Sequence, residues 1–202
     1  MISKEEETGA KLSIEEKLQL ERKRLPFTSI GAYEFHEQAK RLVFSLEGSL
    51  YFVDDNGQAP YMPTKLHSKK ASAKINTSIC PTNPDLIGYV SGGDLYVLNI
   101  RTGVELQLTD NKLDAPDQVI SAGLPSYVVQ EEFDRYVGFW WQPVSSSPNE
   151  YKILFEQVDE TDVELIKLST YDGSVEEYRY PKPGRKPVRV ALVNRRTFFV
   201  GF

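Results

Sequence analysis

The sequence contains very little cysteine and histidine, and this excludes several kinds of site. Cys80 is the only cysteine in 202 residues, so no internal disulfide can form, which favours a reducing, cytoplasmic compartment. His36 and His67 are the only histidines, and they lie far apart along the chain. One thiol and two scattered imidazoles do not make a zinc ligand set, so we expect no metal and no cofactor.

Catalytic motifs are also missing. The chain contains no Gly-x-Ser-x-Gly nucleophile elbow, and neither histidine neighbours a plausible nucleophile. The paired glycines in "SGGD" (Ser91–Asp94) indicate a hairpin turn rather than a phosphate-binding loop. We therefore expect no catalytic residue in this chain.

Long apolar runs and a strong excess of positive charge are absent too. No stretch of eighteen apolar residues exists, so no membrane span is expected, and "MISKEEETGAK" lacks the apolar core of a secretory signal peptide. The 24 basic and 29 acidic residues give a net charge of −5, which does not favour a nucleic-acid partner.

Short apolar runs separated by turn residues dominate the chain from Tyr33 onward. Runs rich in Val, Phe, Tyr, Leu and Ile alternate with clusters of Gly, Asn, Asp and Pro, which is typical of many short antiparallel strands. The predicted strands are Arg41–Ser45, Ser49–Val53, Leu86–Val90, Asp94–Ile100, Glu105–Leu108, Tyr136–Trp141, Tyr151–Gln157, Glu164–Leu168 and Glu176–Tyr180.

Two of these strand pairs form a repeat. "RLVFSLEGSLYFVDD" and "LIGYVSGGDLYVLNI" align without gaps at an offset of 45 residues, and each is predicted to form a strand, a glycine turn and a second strand. A period of about 40–50 residues with four strands is that of a β-propeller blade. A β-sandwich is the alternative.

The fold class that follows is all-β. We expect a partial, truncated β-propeller of short antiparallel blades over residues 27–202, with an open edge because "VRVALVNRRTFFVGF" ends the chain on an apolar run. A polar helical arm is expected over residues 1–26. There, Ser13 and Glu16 form a capping-box pattern and Pro26 ends the helix.

The segment "YVVQEEFDRYVGFWW" places two adjacent acids shortly before two adjacent tryptophans. Because an unpartnered buried carboxylate is costly, Glu131 and Glu132 require a cation or solvent. On a strand the two side chains would point to opposite faces, whereas on a short helical turn they can converge on one ammonium group, such as the α-amino group of a peptide. We therefore expect a short helical turn, inserted into the propeller, to carry the pair. The alternatives are a solvated acidic turn and an internal salt bridge to Arg135.

Several segments, in consecutive order over roughly residues 12–193, point to one family. The most specific is "QEEFDRYVGFWWQP", and "SIEEKLQLERKRL", "ICPTNPD", "GGDLYVLNIRTGVELQLT" and "ILFEQVDETDVELI" accompany it. Together they resemble the N-terminal region of the cytosolic members of the dipeptidyl peptidase IV family, which belong to the prolyl oligopeptidase clan of serine peptidases.

The resemblance implies part of a β-propeller that sits over an α/β-hydrolase domain. It assigns Glu131 and Glu132 to the paired glutamates that hold the free N-terminus of a peptide substrate, which restricts cleavage to N-terminal dipeptides with proline or alanine second. It assigns Arg24 to a substrate-contacting arm, although Pro26 stands where the family has glycine. A homodimer of the intact enzyme is one assembly that the resemblance allows.

The hydrolase domain, with its catalytic serine, aspartate and histidine, has no counterpart in this chain. We therefore expect a fragment or truncated product of a cytoplasmic dipeptidyl peptidase, which carries specificity determinants without the chemistry. The alternatives are a non-catalytic β-propeller module for protein interaction and an unrelated β-sandwich binding domain.

Overall fold

A computed structural model describes residues 14–26, 30–68, 73–144, 147–169 and 175–199. The elements in chain order are α1 (Ile14–Arg22), β1 (Tyr33–His36), β2 (Arg41–Leu46), β3 (Ser49–Asp54), β4 (Thr64–Lys65), β5 (Ile75–Ile79), β6 (Leu86–Ser91), β7 (Asp94–Asn99), β8 (Glu105–Gln107), α2 (Asn111–Asp114), β9 (Ile120–Ala122), α3 (Tyr127–Phe133), β10 (Phe139–Trp141), β11 (Glu150–Asp159), β12 (Leu165–Ser169), β13 (Val175–Arg179) and β14 (Arg189–Phe199).

Antiparallel sheets account for most of this structure. The first sheet has the order β1-β2-β3-β4 and the second β5-β6-β7-β8, so strands that follow one another in sequence lie side by side. A third sheet has the order β10-β11-β14 with β9 also paired to β11, and β12 and β13 form a hairpin. The predicted fold class is confirmed: an all-β partial propeller of short antiparallel blades, with an N-terminal helix and a short helix that carries the adjacent glutamates.

By its internal contacts the chain divides into two compact units. One comprises Met1–Gly92 with Val97–Glu105, and the other comprises Gly93–Tyr96 with Leu106–Phe202. None of the helices in the described ranges is long and apolar enough to span a membrane.

The sequence repeat corresponds to equivalent positions in two sheets. Leu50–Val53 lies in β3 and Leu95–Leu98 in β7, and each of these strands is the third of its sheet. Leu50 and Leu95 are both fully buried. The two segments therefore do not pair within one hairpin, and the expectation of one hairpin in each of two successive sheets is confirmed.

The two repeated hairpins also share their turn chemistry. Glu47 and Gly48 have φ values of 49° and 70°, and Gly92 and Gly93 have 59° and 82°. Two consecutive positive φ values identify a type I′ turn, which matches the right-handed twist of the flanking strands. The sequence prediction of a hairpin turn at "SGGD" is confirmed.

One core cluster of the first unit joins strands from the first and second sheets. Val43 from β2 packs with Ile79 from β5 and Ile87 from β6, and all three are buried. Phe52 and Ile100 pack against this cluster. Branched and aromatic side chains on pleated surfaces fill such a space efficiently, and their burial is the main favourable term in folding.

Candidate functional site

β9 and β10 pair with neighbouring parts of β11, so together they act as one strand that a long loop interrupts. On β11, Gln157 pairs with Ala122 at the end of β9, and Phe155 pairs with Phe139 at the start of β10. Only Glu156 lies between these two partners, so the register leaves room for one residue opposite it. Instead of one residue, the chain has sixteen between Ala122 and Phe139. These residues, 123–138, leave the sheet and return to it, and are here called the 123–138 loop.

The base of the 123–138 loop is closed by three backbone hydrogen bonds. The Gly138 N–H donates to the Gly123 carbonyl at 3.1 Å, the Glu156 N–H donates to the Gly138 carbonyl at 2.8 Å, and the Gly123 N–H donates to the Glu156 carbonyl at 2.9 Å. Loops whose ends meet in this way are compact and frequently functional. The sheet therefore fixes where the loop begins and where it ends.

Inside the loop, α3 is held by contacts on its buried side. A helix of seven residues is marginal alone, so its position depends on tertiary packing. Gln130 is buried and its side-chain amide donates to the Pro125 carbonyl at 2.7 Å. The Tyr127 ring meets the Tyr180 ring edge-on, with centroids 5.5 Å apart.

Glu131 and Glu132 lie in the last turn of α3, and both side chains are exposed. Consecutive helical residues are separated by about 100° around the axis, so both carboxylates can reach a common point outside the helix. Two carboxylates provide acceptors for the three N–H groups of an ammonium ion, and such charge-assisted hydrogen bonds are among the stronger ones in proteins. The sequence prediction that the adjacent acids lie on a helix rather than on a strand is confirmed.

The helix ends at Asp134, whose φ of 49° and ψ of 32° place it in the left-handed region. Arg135 follows, and its Nη2 donates to Oε2 of Glu156 at 2.8 Å. Its Nη1 donates to the Val137 carbonyl at 3.2 Å, and the guanidinium lies 5.7 Å from the centre of the Trp140 ring. The described partner of Arg135 is thus Glu156, not the adjacent glutamates.

Glu156 is a functional candidate that the sequence did not reveal. Its side chain is only 3% exposed, and its Oε1 has no hydrogen-bond partner among the described residues. A Cβ on Gly138 would lie 2.8 Å from Cγ of Glu156 and 2.9 Å from Oε1, so glycine is required where the carboxylate passes. A glycine inside an apparent strand, as in "YVGFWW", is the sequence signal for such a close approach.

Arg24 lies in the first unit, just beyond the end of α1. Its N–H donates to the Glu21 carbonyl and the Leu25 N–H donates to the Leu20 carbonyl, both at 2.9 Å. These bonds form a Schellman motif, in which Arg24 takes the left-handed position that usually belongs to glycine, with a φ of 54°. The side chain of Arg24 is exposed, whereas Leu20 is buried. The predicted N-cap, Ser13, lies outside the described residues.

The residues with reactive side chains elsewhere have structural roles. His36 Nδ1 accepts the Ala39 N–H at 3.2 Å, and its Nε2 lies 3.3 Å from the Pro81 carbonyl. Cys80 is buried, its Sγ lies 3.4 Å from the Thr82 hydroxyl, and burial raises the pKa of the thiol. Within the described ranges, no group of three or more His, Cys, Asp or Glu side chains is placed to hold a metal ion.

Comparisons with known proteins identify the family of this chain. The family described as "Dipeptidyl peptidase IV (DPP IV) N-terminal region" matches residues 33–196. The chain is similar to dipeptidyl peptidase 8 of Homo sapiens, with 34% identity over 89% of this chain and 22% of the relative, and to that of Mus musculus, with 32% identity over the same shares. It is also similar to dipeptidyl peptidase 4 of Sus scrofa, with 34% identity over 56% of this chain and 14% of the relative.

These matches cover most of this chain but only about a fifth of the length of dipeptidyl peptidase 8. The family match includes every sheet strand from β1 to most of β14, together with the 123–138 loop. By this match, the chain belongs to the N-terminal region of the dipeptidyl peptidase IV family.

Proposed function

We propose that this chain is the substrate-gating and N-terminus-recognising propeller part of a serine-type dipeptidyl peptidase. The enzyme would remove N-terminal dipeptides with proline or alanine in second position, in the cytoplasm. An α/β-hydrolase domain of the same polypeptide would supply the catalytic serine, histidine and aspartate. The family membership and the single buried thiol, Cys80, support this proposal.

The observation that carries the proposal is the exposed pair of glutamates on α3. The α-amino group of a peptide has a pKa of about 7.7–8.0 and is largely cationic at neutral pH. Glu131 and Glu132 offer it acceptors at the surface of a helix whose position the sheet determines. The family resemblance would add Arg24, whose side chain is exposed just beyond the end of α1, as a cationic donor for a peptide carbonyl.

Recognition of the amine would also explain why dipeptides are the product. If the first residue is held by its charged N-terminus, the distance to the nucleophile determines which peptide bond is cleaved. Such a site positions the substrate for reaction, and positioning alone can contribute several kcal/mol to catalysis. An acetylated N-terminus has no charge and fewer donors, so it should bind poorly.

The first test measures peptide binding to the 202-residue chain and does not require enzymatic activity. A peptide that begins Ala-Pro is titrated into isotope-labelled protein, and the amide resonances of residues 126–136 are followed by NMR. We expect saturable shifts in the millimolar range with the free amine, and a loss of about tenfold or more in affinity after N-acetylation or in Glu131→Gln and Glu132→Gln.

Asp134→Asn is the matched control, because it removes an acid next to α3 and asparagine tolerates the same left-handed backbone. Unchanged affinity in this variant would show that the adjacent glutamates act specifically. Equal binding of free and acetylated peptides would contradict the proposal and favour the alternative, a non-catalytic module for protein interaction.

The second test uses the proposed enzyme with its hydrolase domain. Glu131→Gln or Glu132→Gln should lower kcat/KM for dipeptide release sharply while the fold is retained, because each change removes a charge without altering shape. Sedimentation of the same protein would test the homodimer that the resemblance allows.

A further inference from the structure

Arg135, which forms the ion pair at the base of the 123–138 loop, is also close in sequence to the two glutamates of α3. Arg135 follows Glu131 by four residues and Glu132 by three. At that separation, a long flexible side chain can reach either carboxylate. A cation there would occupy the acceptors that an incoming peptide amine needs.

Instead, the structure directs Arg135 into the sheet. Its Nη2 donates to Glu156 at 2.8 Å, its Nη1 donates to the Val137 carbonyl, and its guanidinium stacks on Trp140. Three contacts with separate groups fix both the position and the orientation of the planar guanidinium.

The carboxylate that holds Arg135 is unusually placed. Glu156 is almost fully buried, and only its Oε2 has a described partner, while Oε1 has none. Burying a carboxylate in this way is costly, and replacing a buried ion pair with apolar residues is often neutral or stabilising. Its presence next to Gly138, where any other residue would collide with it, therefore suggests a role besides stability.

We propose that Glu156 is a positioning residue that keeps Arg135 away from Glu131 and Glu132, so that its guanidinium does not compete with a ligand amine for their carboxylates. The inference rests on the proposed function, since it concerns the same recognition site. Glu156 does not touch the ligand and acts only through Arg135.

The experiment compares three variants of the full chain with the wild type, using the same Ala-Pro peptide and its N-acetylated form. Glu156→Gln removes the anchoring charge and releases Arg135, and we expect about tenfold weaker binding of the free amine. The double variant Arg135→Gln with Glu156→Gln removes the competing cation as well, and we expect affinity within about twofold of the wild type. Glu164→Gln, in an exposed ion pair with Lys182, is the matched control and should bind normally.

A purely structural role predicts a different pattern. If the ion pair only supports α3, both Glu156→Gln and the double variant should bind weakly, and this lack of rescue would overturn the inference. Wild-type affinity in Glu156→Gln would overturn it as well. If circular dichroism shows that Glu156→Gln does not fold, the double variant decides alone: wild-type affinity supports the inference and loss overturns it.

The design separates the two proposals. If the wild type does not distinguish the free amine from the acetylated peptide, the proposed function fails. If it does distinguish them but the double variant gives no rescue, only the role of Glu156 fails.

Discussion

The Glu34 carboxylate accepts the backbone N–H of Ile79 at 2.6 Å, and the two residues are 45 positions apart. This is the offset of the sequence repeat, and His36 and Pro81 are in contact at the same offset. Equivalent positions in β1 and β5 thus meet directly through a side chain and a backbone group. In this pair of sheets, the repeat determines which residues become neighbours.

Glu34 should make the stability of the first unit depend on pH. Burial raises the pKa of its carboxyl above the ordinary value, although hydrogen bonds from Ile79 and Ser78 and the proximity of His36 oppose this. A raised pKa means that the fold disfavours the charged form, so this contribution to stability is complete at low pH and is lost as pH rises through the folded pKa. Glu34→Gln keeps an acceptor for the Ile79 N–H but cannot ionise, so the variant should not lose this stability as the pH rises.

The measurement is urea denaturation of the wild type and Glu34→Gln at about pH 4 and pH 7. The free energy of unfolding of the variant, relative to the wild type, should increase between the two pH values. A constant or decreasing difference would contradict the prediction.

Substitution of Arg41 should lower the free energy of unfolding of the first unit more than substitution of an exposed arginine does. It forms a two-pronged contact with Asp54, at 2.6 and 2.8 Å, and its Nη1 donates to Asp85 at 2.7 Å and to the Pro84 carbonyl at 2.9 Å. Its guanidinium also lies over the Phe52 ring. Lysine cannot reproduce this fork, so Arg41→Lys should lower the free energy of unfolding by about 2 kcal/mol.

Arg101→Lys is the control, because Arg101 also pairs with Asp85 but is largely exposed. Its effect should stay below about 0.5 kcal/mol in the same chemical denaturation experiment. Equal effects of the two lysine variants would show that the fork at Arg41 has no special importance.

Asp85 should contribute to acid sensitivity. Burial by itself would raise the pKa of its carboxyl, but hydrogen bonds from Arg41 and Arg101 lower the pKa overall. Because the folded pKa is depressed, the stabilisation is present above the unfolded pKa and is lost as pH falls through the folded pKa. Asp85→Asn should be less stable than the wild type at neutral pH, and this difference should shrink toward pH 2 in thermal denaturation. A difference independent of pH would refute the assignment.

A substitution in the β2–β3 turn should raise the stability of the chain. Glu47 adopts a φ of 49° without being glycine, whereas the equivalent turn uses Gly92. Asn-Gly is the preferred pair for a type I′ turn, so Glu47→Asn should stabilise the chain by about 0.5–1 kcal/mol. Gly48→Ala, at a φ of 70°, should destabilise it by about 1 kcal/mol. Thermal melts of both variants check the two signs, and a destabilised Glu47→Asn would be inconsistent with the turn type.

Arg24 offers a test of strain against function. Glycine fits the left-handed position better, so Arg24→Gly should raise the free energy of unfolding by about 0.5–1 kcal/mol. In the proposed enzyme the same change should reduce kcat/KM about tenfold, since a charge-assisted contact with the peptide is lost. Arg24→Lys, which keeps the cation, should lose less activity. Higher stability with unchanged dipeptide release would identify Arg24 as a solvated helix end.

Local signals in the sequence predicted the central hairpins well. The expected strands Arg41–Ser45 and Ser49–Val53 extend one residue further in the structure, as does Leu86–Val90. In these hairpins, the glycine turn and the apolar strands lie within a few residues of each other, so the information needed to form them is contiguous. The proposed boundary between an arm at 1–26 and a propeller at 27–202 stays a prediction.

Strands with polar interiors were not predicted. β1 contains Glu34 and His36, which are half-buried, and β5 contains Asn76 and Thr77, which are buried although polar. Glu34 and His36 find partners in β5 and in the turn after it, so their positions depend on contacts 45 residues away. No local pattern contains that information. β9 and β14 were missed as well, and β9 has only three residues.

The residues of the proposed recognition site could be selected from the sequence only in part. Glu131 and Glu132 were selected because two adjacent acids repel each other, so that a cation or solvent is expected beside them. Glu156 could not be selected from the sequence, because its partner Arg135 lies 21 residues earlier and a lone glutamate in an apolar strand has many explanations. β10 begins at Phe139 rather than at the expected Tyr136, since Arg135–Val137 belong to the 123–138 loop.

The interruption between β9 and β10 separates two kinds of structural constraint. Because β9 and β10 keep one register along β11, the sheet depends on residues up to Ala122 and from Phe139 onward, and on the glycines that close the loop base. The segment before Arg135, which must remain as the partner of the buried Glu156, can lengthen, shorten or change its charges while the strand pairing on both sides is preserved. Residues 124–134 therefore form a natural graft site, at which a different ligand-binding helix could be exchanged without redesigning the domain that carries it.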